Sequence, residues 1–248
     1  MKERLTQEEL LLHQGAERAM RSGRAVPGRF VSGLERQTAL REAHACEVQA
    51  CFDGGSPEAE RVQVCFVPIG EEPAFSYVWL SIRWHARFGS CDHRSLLGSL
   101  MALGLDRSFF GDLTLGEGEA FLPCLPEVQD QLVTGWTQAG NTPIRVEPLS
   151  APPDLPEPKH QLMRDTVPSL RLDAVLAAGA KLSRSRAAEL IRGGAVMVSH
   201  VPEERTDRLL TVGELLSVRG FGRIRLVEVG TPTRKDRLPI TLAIDTSR

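Results

Sequence analysis

Five prolines, at positions 148, 152, 153, 156 and 158, fall within eleven residues. Proline lacks a backbone N–H and has a fixed φ, so neither a helix nor a central strand runs through such a stretch. Residues 150–168 therefore read as a semi-rigid, extended linker with a folded body on either side. Charge divides at the same place. Residues 1–158 hold 14 Lys+Arg against 22 Asp+Glu, and residues 159–248 hold 16 against 10, so a total of −2 hides −8 and +6. Phosphate attraction follows local charge, and a basic body beside an acidic one points to an anionic partner at the carboxy-terminal end. All but four of the basic residues are arginine. Arginine's forked donors and stackable plane suit RNA, and a GC-rich genome produces the same bias.

The amino-terminal part carries two S/T-x-x-E capping patterns, Thr6 with Glu9 and Ser32 with Glu35, each ahead of an apolar-rich run. Two helices are predicted there, and the turn cluster Asp53 to Pro57 precedes an alternating strand over Arg61 to Ile69, with Val62, Val64 and Phe66 on one face. This gives an N-terminal helical region with a strand over residues 1–70. Residues 71–149 then present the order strand, helix, strand, strand, helix, strand. The elements are Tyr77 to Trp84, a helix with Asp92 as N-cap, a hairpin around Gly116-Glu117-Gly118, a helix from Pro126 to Gln138 ended by Gly140-Asn141, and a strand over Pro143 to Glu147. That is the βαββαβ, ferredoxin-like or RRM-like order. Its third strand lacks the basic and paired aromatic positions that stack bases, which argues against base stacking on this sheet.

After the linker, a short helix ends at Gly179, and a second is predicted over Arg184 to Arg192, with Ser183 as N-cap and Gly193-Gly194 as its stop. Strands follow over Ala195 to Val198, Glu214 to Val218, Ile224 to Val229 and the alternating Leu238, Ile240, Leu242 and Ile244. Arg184 and Arg186 sit in the first turn of the second helix, where the dipole disfavours cations by roughly 0.3 to 1 kcal/mol each. A phosphate over that turn is met by backbone N–H groups, the Ser183 and Ser185 hydroxyls and both guanidiniums. The plainer alternative is a solvated basic face whose arginines pair with acids such as Glu189. Arg223 and Arg225 alternate with Ile224 and Leu226, so they share the face away from the core, and with Arg219 they form either an extension of the phosphate track or the exposed side of an edge hairpin. Arg171, Lys181 and Arg192, in or beside the two helices, complete the set of RNA-binding candidates. His200 reads as a turn residue.

The run from Arg171-Leu172-Asp173 through Ser183-Arg184-Ser185-Arg186-Ala187-Ala188-Glu189-Leu190-Ile191, Gly194 to Val198 and Val212 to Val218 closely resembles the S4 domain, an αL RNA-binding module. This places an S4 domain over residues 169–231, with a terminal strand and tail over 232–248. Val198-Ser199-His200 departs from the V-N-G usual there. Gly54-Gly55-Ser56-Pro57-Glu58-Ala59-Glu60-Arg61 and His93-Arg94-Ser95-Leu96-Leu97-Gly98, continuing through Gly104 to Arg107 and Gly111-Asp112, are similar to the two signature stretches of the YlmH family. That family includes proteins labelled photosystem II S4 domain protein. The resemblance implies an α+β protein that is not an enzyme, binds the large ribosomal subunit and peptidyl-tRNA, and supports carboxy-terminal tailing in ribosome quality control. Its partners would be rRNA, tRNA and the ribosome.

No seat for catalysis is visible. Arg171-Leu172-Asp173 resembles the R-L-D of a pseudouridine synthase active site, yet no synthase-sized domain surrounds it, and Asp173 reads as a helix-surface residue. Cys91-Asp92-His93 with His85 lacks zinc spacing, and no nucleotide-binding glycine motif precedes a helix. No metal, cofactor or catalytic residue is expected. His93, Arg94 and Arg107 either brace Asp112 or contact RNA or protein. Five cysteines at irregular spacing do not make a disulfide framework. The start lacks a signal-peptide pattern and no run is long and apolar enough to span a membrane, so a cytoplasmic chain is expected. Two further readings stay open: an accessory to RNA modification, and an adaptor whose acidic N-terminal region binds a protein partner.

Overall fold

The computed structural model describes residues 6–85, 87, 89–155, 161–234 and 236–245. The chain folds as two compact units, 1–156 and 157–248. Residues 156–160, which hold Pro156 and Pro158 of the expected linker, lie outside the described residues.

Thr6 opens the first helix as its pattern predicts. The Glu9 amide donates to the Thr6 hydroxyl at 3.2 Å, the Thr6 amide donates to Glu9 Oε2 at 2.9 Å, and α1 runs Gln7–Ser22. After β1 (Val26–Val31), the Ser32 amide donates to Glu35 Oε2 at 2.8 Å and starts α2 (Gly33–Ala45). Next come β2 (Gln49–Asp53) and β3 (Val62–Val67), and the three strands form an antiparallel sheet in the order β1-β3-β2. The predicted strand is thus the centre of a sheet, and β1 and β2 escaped the sequence reading: β1 contains Pro27-Gly28 and β2 is short and mixed in polarity. Both faces of β3 are buried, not one. Val62, Val64 and Phe66 pack with Leu12, Ala16 and Ala39, while Gln63 on the other face donates to the Gly28 carbonyl at 2.9 Å and the Ser76 hydroxyl at 3.2 Å.

The same unit continues with β4 (Val78–Arg83), α3 (His93–Met101), a 3-10 turn at Arg107–Phe109, β5 (Thr114–Leu115), β6 (Glu119–Cys124), α4 (Pro126–Gly135), β7 (Gln138–Ala139), β8 (Thr142–Pro143) and β9 (Arg145–Leu149). Strand order β5-β6-β4-β9, antiparallel throughout, is the ferredoxin-like arrangement the signal order predicts. Leu80, Ile82, Leu122 and Val146 face Leu96 and Leu100 of α3 and Val128 and Leu132 of α4. One boundary differs: α4 stops at Gly135 rather than Gln138. Trp136 is buried with its indole donating to the Ser99 hydroxyl at 2.8 Å, and Gly140-Asn141 turns the small hairpin β7-β8 instead of ending a helix.

The second unit comprises β10 (Gln161–Val167), α5 (Leu172–Gly179), α6 (Arg184–Arg192), β11 (Val196–Val198), β12 (Val201–Pro202), β13 (Leu215–Val218), β14 (Gly222–Val229) and β15 (Leu238–Asp245). Its sheet has the order β10-β15-β14-β13-β11-β12. Residues 161–167, read as linker, are an edge strand paired from Gln161↔Ile244 to Val167↔Leu238. Only Val167 is buried in that strand, so no alternation marked it. Leu172, Val175 and Leu176 of α5 and Ala187 and Ile191 of α6 pack on Val198, Leu216, Ile224, Leu226 and Leu242. A Cβ at Gly179 would stand 2.9 Å from Ile224 Cδ1, which sets how closely α5 meets the sheet. Ser199 and His200, at φ +48 and +68, turn β11 into β12. Two positive φ values in a two-residue hairpin are usually met by Asn-Gly, and here two L side chains adopt them.

Candidate nucleic-acid interface

The RNA-binding candidates gather first at the start of α6. Ser183 is extended at φ −69, ψ 151, and its hydroxyl accepts the Arg186 amide at 3.2 Å. The first intrahelical bond runs from the Ala187 amide to the Ser183 carbonyl at 3.0 Å, so the Arg184 and Ser185 amides precede any intrahelical acceptor. Lys181 turns the chain between the helices at φ +53, and Lys181 and Ser183 to Arg186 are all exposed.

Asp173 is not on the helix surface. It is 7% exposed, and its carboxylate gathers two arginines from different elements. Arg171 donates Nε to Oδ1 at 3.2 Å and Nη2 to Oδ2 at 3.3 Å; Arg184 donates Nη2 to Oδ2 at 2.7 Å. Burial by itself would raise the Asp173 pKa, but the hydrogen bonds from Arg171 and Arg184 outweigh it and hold the carboxyl below its ordinary value. Arg184 therefore pairs with Asp173, eleven positions away, and not with Glu189. Glu189 takes Arg186 instead, at 2.8 Å. Neither pairing removes a guanidinium from solvent: the Arg184 side chain is 52% exposed and that of Arg186 60%. The exposed Arg186–Glu189 pair contributes about 0–1 kcal/mol and gives way readily to a phosphate, whereas Arg184 is held by a carboxylate whose side chain is only 10% exposed.

The remaining candidates lie elsewhere on the unit. Arg192 is in the last turn of α6, about 12 Å along the axis from Arg184 at 1.5 Å per residue. Exposed Arg219 directly follows β13, its amide donating to the Ala195 carbonyl just beyond α6 at 2.9 Å. Arg223 and Arg225 alternate with core residues Ile224 and Leu226, which puts them on the sheet face opposite α5 and α6, with Arg223 in register with Asp245 and Ser217. The structure thus brings Arg171 and Arg184 together and sets Arg223 and Arg225 apart from them. One basic residue the sequence reading left out is Arg205, 76% exposed. Its loop lies beside the start of α5, where the Leu172 amide donates to the Arg208 carbonyl and the Asp173 amide to that of Thr206, at 2.8 and 3.1 Å. Arg208 itself is held between Glu203 and Glu214. The run 203–208 has no apolar periodicity, so only backbone pairing shows where it lies.

In the first unit, the two signature stretches dock on each other. Asp112 Oδ2 accepts the amides of Glu60 at 2.6 Å and Arg61 at 3.3 Å. Arg61 donates to the carbonyls of Phe30 and Phe110 and to the Ser32 hydroxyl, and Arg107 donates to the carbonyls of Phe110 and Gly111 at 2.8 and 2.9 Å. Burial first, and nearby Arg61 second, push the Arg107 pKa down to about 10. Arg107 is a brace, whereas Arg94 is exposed beside the N-cap Asp92 and His93 opens α3. On the face of the middle sheet away from α3 and α4, Trp79, Ser81 and Phe121 are buried and the Gly55 backbone lies against the Trp79 indole, while Arg83 and Arg145 at the other end of that face are exposed. That is where an RRM presents its stacking aromatics. Among the described residues no group of three or more His, Cys, Asp or Glu is placed to hold a metal ion, and no helix is long and apolar enough to cross a membrane.

Two family models match the chain. Residues 70–152 match one described as "Putative RNA-binding domain in YlmH", and residues 170–216 match the S4 domain. The ribosome-associated protein quality control protein P2 of Bacillus subtilis is 35% identical over 199 residues, spanning 79% of this chain and 77% of that protein. A solved structure of the cell division protein YlmH from Streptococcus pneumoniae aligns over 60% of this chain and 95% of its own, at 18% identity and a TM-score of 0.45. With both domains in place and this degree of identity over most of its length, the chain belongs to the YlmH family.

Proposed function

We propose that this protein is a non-enzymatic, cytoplasmic factor that holds structured RNA through its S4 unit, and that its targets are rRNA of the large ribosomal subunit and tRNA in ribosome quality control. The observation that carries this reading is the start of α6, where the Arg184 and Ser185 amides precede any intrahelical acceptor, the Ser183 and Ser185 side chains are exposed, the half-exposed Arg184 stands beside Arg171 on Asp173, and Arg186 lies in the same exposed turn. Such a surface fits a phosphate from a polynucleotide backbone, with the amides and guanidiniums supplying donors and the helix N-terminus a favourable dipole. The name of the Bacillus subtilis relative supports the choice of the ribosome as the place where that RNA is met.

Replacing Arg184 and Arg186 together with glutamate is expected to abolish co-sedimentation with large ribosomal subunits while the circular dichroism spectrum stays near wild type and the melting temperature falls, because the change sets a second carboxylate beside the buried Asp173. In titrations with tRNA the slope of log K against log salt is expected to fall by about two. Unchanged, salt-insensitive association of the double variant would overturn the reading.

A further inference from the structure

A buried carboxylate is out of place in a surface that attracts polyanions. Removing Asp173 adds one unit of positive charge to the second unit, so electrostatics alone predicts tighter RNA binding from Asp173→Asn. The geometry points the other way. We infer that Asp173 is a positioning residue of the RNA interface: it holds Arg171 and Arg184 side by side as a paired guanidinium clamp for one phosphate. This rests on the reading that the S4 unit binds RNA.

Arg171 is the N-cap residue of α5 and Arg184 opens α6, so no single element sets them beside each other. Asp173 does so. Its main chain is fixed by the hydrogen bond its amide donates to the Thr206 carbonyl, and its carboxylate is within 3.3 Å of both guanidiniums. A guanidinium has five N–H donors. Asp173 takes Nε and Nη2 from Arg171 and Nη2 from Arg184, so Nη1 of Arg171 and Nε and Nη1 of Arg184 stand outside that pairing. Two cations around one carboxylate leave a net charge of +1. The carboxylate is nearly inaccessible, whereas the Arg171 side chain is 38% exposed and that of Arg184 52%. An incoming phosphate therefore meets arginines, not Asp173. Long side chains lose freedom on binding, and arginines already held in place lose less, so the clamp gains affinity by preorganisation.

The test uses the full-length chain, bulk tRNA as probe, fluorescence anisotropy across a salt series and thermal melts. Asp173→Asn is expected to weaken binding about tenfold despite its added positive charge, and to lower the salt slope by about one. In an Arg171→Gln/Arg184→Gln background the same change is expected to have no further effect on affinity. Binding by Asp173→Asn that equals or exceeds wild type overturns the inference, and so does an equal loss in both backgrounds, which is the mark of a residue acting only through the fold. If Asp173→Asn no longer unfolds cooperatively, the two arginine variants carry the test: a clamp predicts that either single loses as much affinity as the pair, whereas multiplied losses overturn it. The parent reading is tested apart from this by the Arg184→Glu/Arg186→Glu variant, whose unchanged binding would remove RNA recognition altogether. Loss of binding there with none in Asp173→Asn removes only the clamp.

Discussion

Arginine does opposite work in the two units. In the first, Arg61 and Arg107 turn inward to backbone carbonyls; the Arg61 side chain is 13% exposed, and burial pushes the Arg107 pKa down. In the second, Arg184 and Arg186 pair with carboxylates and keep half or more of their surface in water. The aromatics divide in the same sense. An RRM-like sheet usually offers an open face for bases, yet here Trp79 and Phe121 on that face are buried, with the Gly55 backbone against the Trp79 indole. A residue suited to RNA is thus no evidence of RNA contact until its burial and partners are known.

Three substitutions sharpen or break this contrast. The largest effect is expected from Trp79→Ala, which should cost about 3–5 kcal/mol of unfolding free energy in urea titrations through the lost packing. Its RNA affinity, measured where the variant is still folded, should be unchanged. A selective loss of RNA binding at near-normal stability would mean that the sheet face is a stacking platform after all. Next comes Arg61→Met. It removes the donor to the Phe30 carbonyl and Ser32 hydroxyl and should cost about 2–3 kcal/mol, again with no change in the salt slope of RNA binding. A fall in that slope would move Arg61 from bracing to binding. The smallest effect is a gain: Ser199→Asn with His200→Gly relieves two left-handed residues and should raise stability by about 1 kcal/mol in the same titration. No gain would show that the His200 ring contributes as much as its backbone costs.

Much of the fold was legible because its signals are local. The capping boxes at Thr6 and Ser32, the Ser183 cap and the full extent of α6 depend on residues within one turn of each other. So does the order of elements that makes the middle domain ferredoxin-like, since turn residues and periodicity mark each one. Misreadings arose where one local signal serves two ends. Gly140-Asn141 stops a helix or turns a hairpin with equal ease, and burial of Trp136 decides between them. Strand β10 has little alternation because it is an exposed edge, and only its partner β15, some eighty residues on, makes it a strand.

Of the candidate site, the sequence by itself determined which residues are basic, that Ser183 caps a helix, and that Arg184 and Arg186 lie in that helix's first turn. Residue chemistry and helical spacing are enough for this. Only the tertiary structure decided that Asp173 is buried and that it draws Arg171 and Arg184 together. Those facts depend on how α5, α6 and the loop over residues 203–211 close around one carboxylate. No periodicity within a single element records a contact made among three.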